Sequence, residues 1–320
     1  MVDRVGPEHV GSRVVVRRSL GDGTYTDVVG HLVGFSPDAL EVVTGGGENV
    51  TVAPDEVAAA KPVPPATVPR GWEVPDITAD DLQRICSAGW PAREVVPLGD
   101  WQLRAHDGLT GRANSVMAVG DPGLPFDDAL AEVERWYGAR GLPALMQQPQ
   151  GGPADRALAE HGWPMLHVTI VQVAPIGPVL ERLPIREGLT SSVRAAPWAQ
   201  WRELMHDLDA ERPDVHLEIL TATPRVGFAV VRDEAGAALG IGRTSIEGDW
   251  AGITSVDVAP SAQRRGIGTE VMRVLLGWAA GQGARWTYLQ VRARNSAALG
   301  LYARLGYRTH HPYCYRVAPG

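Results

Sequence analysis

The run Gln263-Arg264-Arg265-Gly266-Ile267-Gly268, followed by Thr269, concentrates guanidinium groups and glycines in one short stretch. It falls between a strand pattern, Ile253 to Val258, and a helical one with apolar residues at Ile267, Val271, Val274, Leu275 and Trp278. A strand feeding a Gly-rich turn and a helix start can hold a phosphate chain. Glycine lets the backbone come close, first-turn amides are unspent donors, and arginines add charge-assisted bonds. Downstream, Asn295 and Tyr302 fall on a shorter expected helix, Ser296 to Leu305. A tyrosine there can pack half-buried on an amphipathic face. Asn295 can bond a ligand, cap the helix, or do both.

Removing a proton needs a base, and here the pattern is thin. Glu247 and Asp249 lie on the preceding strand and turn, and Asp257 is mid-strand, with Glu247 the leading candidate. His216 and Glu218, read as loop residues, are comparable alternatives, whereas His310-His311 reads as a cap on a final hairpin. Cys314 has no His–Asp arrangement around it, which argues against a nucleophilic cysteine.

The elements that must position these residues follow from periodicity. Short β-branched runs at Arg13–Arg17, Asp27–Phe35, Leu40–Thr44 and Asn49–Val52, separated by Gly, Asp and Pro turns, predict a small SH3-like barrel over residues 1–60. Lys61 to Pro75 carries five prolines and reads as a stiff linker. From Asp76 helices and strands alternate: helix Ile77–Ser87, strands Asp100–Arg104 and Arg112–Val119, helix Phe126–Arg140, strand Pro143–Gln147, helix Pro153–His161 and strand Leu166–Val173. Ala174–Gly188 reads as a Pro-punctuated connector. The alternation then resumes with strand Leu189–Arg194, helix Trp198–Asp209 and strands Gly227–Arg232 and Ala238–Glu247.

The two halves read as a repeat. Ser115 to Val119 matches Ser255 to Ala259; Trp136, Gly141 and Gln148 match Trp278, Gly283 and Gln290; Leu158 to Trp163 lies over Tyr302 to Tyr307. The first copy has Gly120-Asp121-Pro122-Gly123 in place of the arginine-glycine turn and Leu158 in place of Tyr302. The expected division is therefore a degenerate lobe at 76–175 and an intact one at 176–320.

Composition sets the remaining bounds. The net charge of −7 disfavours a general nucleic-acid binder. From Gly240 onward ten arginines face four acids, so the acidic excess lies in the rest of the chain and a polyanionic ligand is expected only near the C-terminal part. No apolar run approaches a membrane span, and no signal-peptide pattern follows Met1. Two distant cysteines, Cys86 and Cys314, lack metal-ligand spacing, so no metal is expected and the reading is cytoplasmic.

Val256-Asp257-Val258-Ala259-Pro260, the Gln263-to-Gly268 turn, then Asn295 and Tyr302 ahead of Leu305-Gly306-Tyr307, resemble the GNAT superfamily of acyl-CoA N-acyltransferases. The whole layout is similar to a group of actinobacterial GNAT proteins with an SH3-like N-terminus and tandem lobes. The resemblance implies an α/β fold, in detail the α+β GNAT fold with a mixed sheet flanked by helices, and acetyl-CoA as co-substrate. It implies that the backbone of Val256 and Val258 pairs with the pantetheine arm and that amides from Arg264 to Thr269 hold the pyrophosphate. Asn295 would bond the cofactor arm and Tyr302 would protonate the departing thiolate. Many relatives carry Glu where this chain has Gly252, a departure that fits a relayed base or an acceptor that arrives neutral. The leading expectation is acetyl transfer to a primary amine by direct attack, with a homodimer left open. The alternative is an acyl-CoA-binding sensor whose acidic barrel recruits a partner.

Overall fold

A computed structural model describes residues 5–21, 23–64, 66–205 and 211–319. In chain order these contain β1 (Arg13–Ser19), β2 (Tyr25–Phe35), β3 (Leu40–Thr44), β4 (Asn49–Val52) and β5 (Val57–Pro62). Next come α1 (Ala79–Ala88), β6 (Glu94–Leu98), β7 (Trp101–Ala105), β8 (Val116–Met117), α2 (Phe126–Gly138), β9 (Leu145–Pro149), α3 (Pro153–Glu160) and β10 (Met165–Pro175). The chain continues through α4 (Ile176–Arg182), β11 (Thr190–Arg194), α5 (Ala199–Leu204), α6 (Pro213–Thr221), β12 (Val226–Arg232), β13 (Ala238–Glu247) and β14 (Trp250–Val258). It ends with α7 (Ile267–Gly281), β15 (Trp286–Arg292), α8 (Ser296–Arg304) and β16 (Arg308–Val317). The α/β class and the all-β N-terminal region are those expected.

Two compact units result, and neither is one continuous piece of chain. One gathers Met1–Glu73, Gln148–Val173 and Gln290–Gly320; the other gathers Val74–Gln147 and Ala174–Leu289.

In the first unit, β4-β3-β2-β1-β5 form an antiparallel five-stranded sheet. Alternation does the sorting: along β1, Val14 and Val16 turn into a core with Leu32, Val42 and Val52, while Arg17 faces water and pairs with Asp27. The fifth strand runs into the stretch expected to be linker. Antiparallel pairing of β10 with β16, from Met165↔Arg316 to Val173↔Arg308, completes this unit's strands. The expected final hairpin is thus a long-range pairing instead.

In the second unit, β11-β12-β13-β14 are antiparallel and β14 joins β15 in parallel, from Trp250↔Trp286 to Ile253↔Leu289. Strands β6 and β7 form an antiparallel pair that continues to β8, with β8–β9 parallel. Val226 to Val231 is buried throughout β12, the continuous apolar run of a strand covered on both faces. Helix α7 lies directly on β13: a Cβ at Gly240 would meet Ile267, and one at Gly242 would meet Leu275 and Val271.

Three local expectations need correction, and a fourth falls partly outside the described residues. Ala174–Gly188 contains α4, because Pro175 caps it and Pro178 sits in its first turn, where no intrahelical N–H partner is lost. His216 and Glu218 lie on α6, opened by Pro213, not in a loop. The strand expected from Arg112 shrinks to Val116–Met117, because the buried Asn114 organises a turn: its Oδ1 accepts from the amides of His106 and Gly108, and its Nδ2 donates to Leu109 and Thr110 carbonyls. The helix expected to reach Asp209 is described only as α5, and residues 206–209 of that expectation lie outside the described residues.

The β10–β16 pair supplies an acid-sensitive element. Burial, with the neighbouring His310, pushes His311 down to about 3, so it stays neutral when folded. The unfolded chain binds a proton near pH 6.5, so this contribution is complete above that value and is lost progressively as pH falls toward 3. Denaturant titrations should show stability falling by a few kcal/mol over that window, and His311→Gln should flatten the dependence. An unaltered pH slope in the variant would rule out this assignment.

Candidate functional site

The residues of the arginine-glycine turn come together at the start of α7. Arg264 has φ 57° and Gly266, the N-cap, has φ 79° in the left-handed region, which lets the chain turn sharply from the 3₁₀ turn at Pro260–Ala262 into the helix. No side chain caps this end. The amides of Ile267, Gly268 and Thr269 are the first-turn donors of a 15-residue helix, at the positive end of its dipole.

Arg186 is the residue that sequence reasoning missed. Its Nη1 donates to the Arg265 carbonyl at 3.2 Å, and its guanidinium lies so close on Gly266 that a Cβ there would overlap it. Three guanidinium-bearing residues, Arg186, Arg264 and Arg265, therefore share one turn. Spacing gave no signal, because Arg186 comes from the connector between α4 and β11.

Upstream, Val256, Asp257 and Val258 end β14. Asp257 pairs with Ile241 and Val258 with Gly240, whereas Arg243 pairs with Thr254, so Ser255 and Val256 face Gly242 alone. That is a β-bulge, with Ser255 at φ 51°. Glu247 is exposed at the opposite end of the β13–β14 hairpin, where it pairs with Trp250. Asp257 is half-buried.

Gly252 has a physical explanation. A Cβ there would run into the Tyr288 phenol, and so would one at Gly89, the C-cap of α1. The phenol fills the gap between two glycine backbones beside the Ser245 hydroxyl. Burial drives its pKa well above the ordinary range, so it stays protonated. Two strand residues away from Ser245 lies Arg243, fully buried, held by neutral acceptors: Leu220 O at 2.8 Å, Gly89 O at 3.1 Å, and the Thr254 and Thr223 hydroxyls, both at 3.3 Å. Burial, with a contribution from Arg112, lowers its pKa to about 10. Leu220 is in the last turn of α6 and Gly89 ends α1, so two negative helix ends converge on one guanidinium. Their partial charges, roughly half an electron each, replace a carboxylate.

The first half contains a counterpart. Buried Arg104 donates to the Ser115 carbonyl and hydroxyl and to Gln147 Oε1, and its Nη1 donates to Ser87 on α1. Arg104 and Ser115 stand at the same sequence separation as Arg243 and Thr254.

The alternative acids and nucleophile are committed elsewhere. On α6, buried His216 lies edge-on to Trp90, and Glu218 pairs with Arg93, which also holds Asp107 at 2.7 Å. In the other unit, Cys314 Sγ donates to Asp155 at 3.1 Å, an oxygen that also accepts from Arg316 at 2.6 Å; burial first, and then Asp155, push the thiol far up, which suits packing and not nucleophilic chemistry. The same unit contains α8. Asn295 is its N-cap, Oδ1 accepting from the Ala298 amide at 3.1 Å, and Tyr302 is buried with its ring 5.8 Å from that of Tyr307.

A mixed sheet, a bulged strand and a helix start with no side-chain cap, carrying the arginine-glycine turn, fit an acyl-CoA N-acyltransferase of the GNAT type. The chain belongs to this family: residues 78–316 match the family described as probable histone acetyltransferase Rv0428c C-terminal, and residues 8–61 match the Rv0428c N-terminal Sm-like domain. The N-terminal sheet is thus a small barrel-like domain of Sm-like type. An uncharacterized N-acetyltransferase, YobR of Bacillus subtilis, is 30% identical over 74% of this chain and 97% of its own length. The probable histone acetyltransferase Rv0428c of Mycobacterium tuberculosis is 28% identical over 94% of this chain and 93% of its own. Among solved structures, a GCN5-related N-acetyltransferase from Kribbella flavida shares the fold with a TM-score of 0.60 at 20% identity, covering 76% of this chain and 96% of that one. A tandem GNAT protein from the clavulanic acid biosynthesis pathway does so at 0.53 and 13%, covering 64% and 75%. Among the described residues no helix is long and apolar enough to cross a membrane, and no group of metal-ligating side chains is present.

The closed space at Gly252 makes a direct prediction. Gly252→Glu should cost about 3 kcal/mol or more of stability, from overpacking and an unpaired buried carboxylate, without installing a base. Urea unfolding alongside rate measurements checks both halves; a stable, faster variant would contradict them.

Proposed function

We propose that this enzyme moves an acetyl group from acetyl-CoA to a primary amine by direct attack. The observation that carries the reading is the start of α7, where the amides of Ile267, Gly268 and Thr269 stand beside Arg186, Arg264 and Arg265. These groups suit a pyrophosphate: backbone donors at a positive helix end, with charge-assisted donors around them. The backbone of Val256 and Val258 would take the pantetheine arm, as the bulge at Ser255 frees backbone groups from the β13 ladder. Gln263 would support the turn. Asn295 would meet the cofactor arm while capping α8, and Tyr302 would protonate the leaving thiolate. Support for these last roles comes from motif order and from the names of the related N-acetyltransferases.

The residues at 76–175 are proposed to be a degenerate copy of the lobe at 176–320, after a barrel at 1–60 and a linker at 61–75. The matched pairs Arg104–Ser115 and Arg243–Thr254 support this. Proton removal is the harder half of the chemistry. An amine of pKa near 10.4 is neutral in only about one molecule in 10³ at pH 7, a penalty of 4–5 kcal/mol. Of the two strand acids, Asp257 lies beside the bulge and Glu247 at the far hairpin end. The filled position at Gly252 favours a second reading, an acyl-CoA-binding sensor.

Release of free CoA thiol across a panel of amines separates the readings: cofactor binding with no thiol released by any amine would leave only the sensor. Tyr302→Phe should lower kcat about 10²-fold while acetyl-CoA affinity changes little, and wild-type turnover would refute the acid role. Asp257→Asn should slow turnover about tenfold and Glu247→Gln less than twofold; the reverse order would make Glu247 the base. Arg186→Ala should weaken CoA binding about tenfold and leave pantetheine binding unchanged, as read by calorimetry.

A further inference from the structure

The barrel and α8 belong to the same compact unit, and their contact is unusually close. Gly300 lies in the middle of α8, where glycine is a poor helix former and alanine the best. The contact explains the choice. A Cβ at Gly300 would run into the carbonyl oxygen of Gly47, in the turn between β3 and β4, and a Cβ at Gly47 would run into the Gly300 carbonyl. One helical turn further on, Arg304 Nη1 donates to the same Gly47 oxygen at 3.0 Å. Helix α8 therefore meets the barrel backbone to backbone, with a charge-assisted bond locking the register.

The linker grips the other end. The Trp72 ring lies against Gly306, just beyond the helix, where a Cβ would overlap it, and the Trp72 carbonyl accepts from Arg308 Nη2 at 2.8 Å. Tyr302 sits between these two grips, its ring against Tyr307.

We propose that the N-terminal barrel and Trp72 are a brace that sets the position of Tyr302, so that the barrel serves proton delivery to the leaving thiolate and is not a recruiting appendage. This rests on Tyr302 being the acid. Gly300 and Arg304 act through Tyr302 and are positioning residues. Backbone contact across two glycines has no slack: an added methyl must displace the helix or the turn, and displacements of about 1 Å at a reacting group cost up to 10²-fold in rate.

A double-mutant cycle in the full-length chain tests this. Gly300→Ala should lower kcat at least tenfold with the acetyl-CoA KM within about twofold, although alanine favours the helix. Arg304→Ala, which removes a bond without adding bulk, should lower kcat about threefold and provides the same test if Gly300→Ala fails to fold. In a Tyr302→Phe background both effects should vanish, because the group being positioned is gone. Losses that persist undiminished beside Tyr302→Phe overturn the brace, as does unchanged kcat in the single variants or a KM rise that matches the kcat loss. Tyr302→Phe turning over at the wild-type rate refutes the acid role itself, a separate and recognisable outcome.

Discussion

The arrangement of the larger unit depends on one buried cation. Arg243 has surrendered its hydration shell entirely, and each of its hydrogen-bond partners is neutral. Such a group is tolerable only where dipoles converge, and the last carbonyls of α1 and α6 supply them. The consequence is geometric: α1, α6, β13 and β14 must meet at this guanidinium, because releasing any one leaves a buried charge under-satisfied. The neighbouring contact follows from it. With Gly89 tied to Arg243, the α1 C-cap lies where the Tyr288 phenol and Gly252 backbone must share space, and glycine is what fits at both positions.

That packing gives a reason for the family's most conspicuous departure in this chain. An acidic side chain at Gly252 has no room, since the space belongs to a protonated phenol. Helix α1, from the first half of the chain, presents its C-terminal end to β13 and β14. Arg104 does in the first half of the chain what Arg243 does in the second, reaching α1 through Ser87 where Arg243 reaches it through Gly89. A strand arginine tied to the end of α1 thus recurs in both halves of the chain.

The arginine-glycine turn between strand and helix was legible because its ingredients are local. Gly266 at a left-handed N-cap, apolar residues at helical spacing and the preceding strand all lie in one short stretch, and the backbone obeys local sterics there. Asn295 as N-cap of α8 was legible for the same reason. Arg186 was not, because its place on Gly266 depends on where a distant connector runs. The helix α4 was missed where prolines were read as marking a connector, although proline in a first turn breaks nothing, and α6, opened by Pro213, was read as a loop.

By itself the sequence determined the α/β class, the N-terminal barrel and the arginine-glycine turn, since each follows from periodicity or from residues within one helical turn, and the order of its motifs carried the resemblance to the family. Tertiary structure alone decided the rest. It assigned Gly252 to a phenol, committed Glu218, Cys314 and Asp155 to partners far away in the chain, and set Gly47 against Gly300. Those outcomes depend on which surfaces meet, and burial and close packing act between residues whose separation along the chain bears no relation to their separation in space.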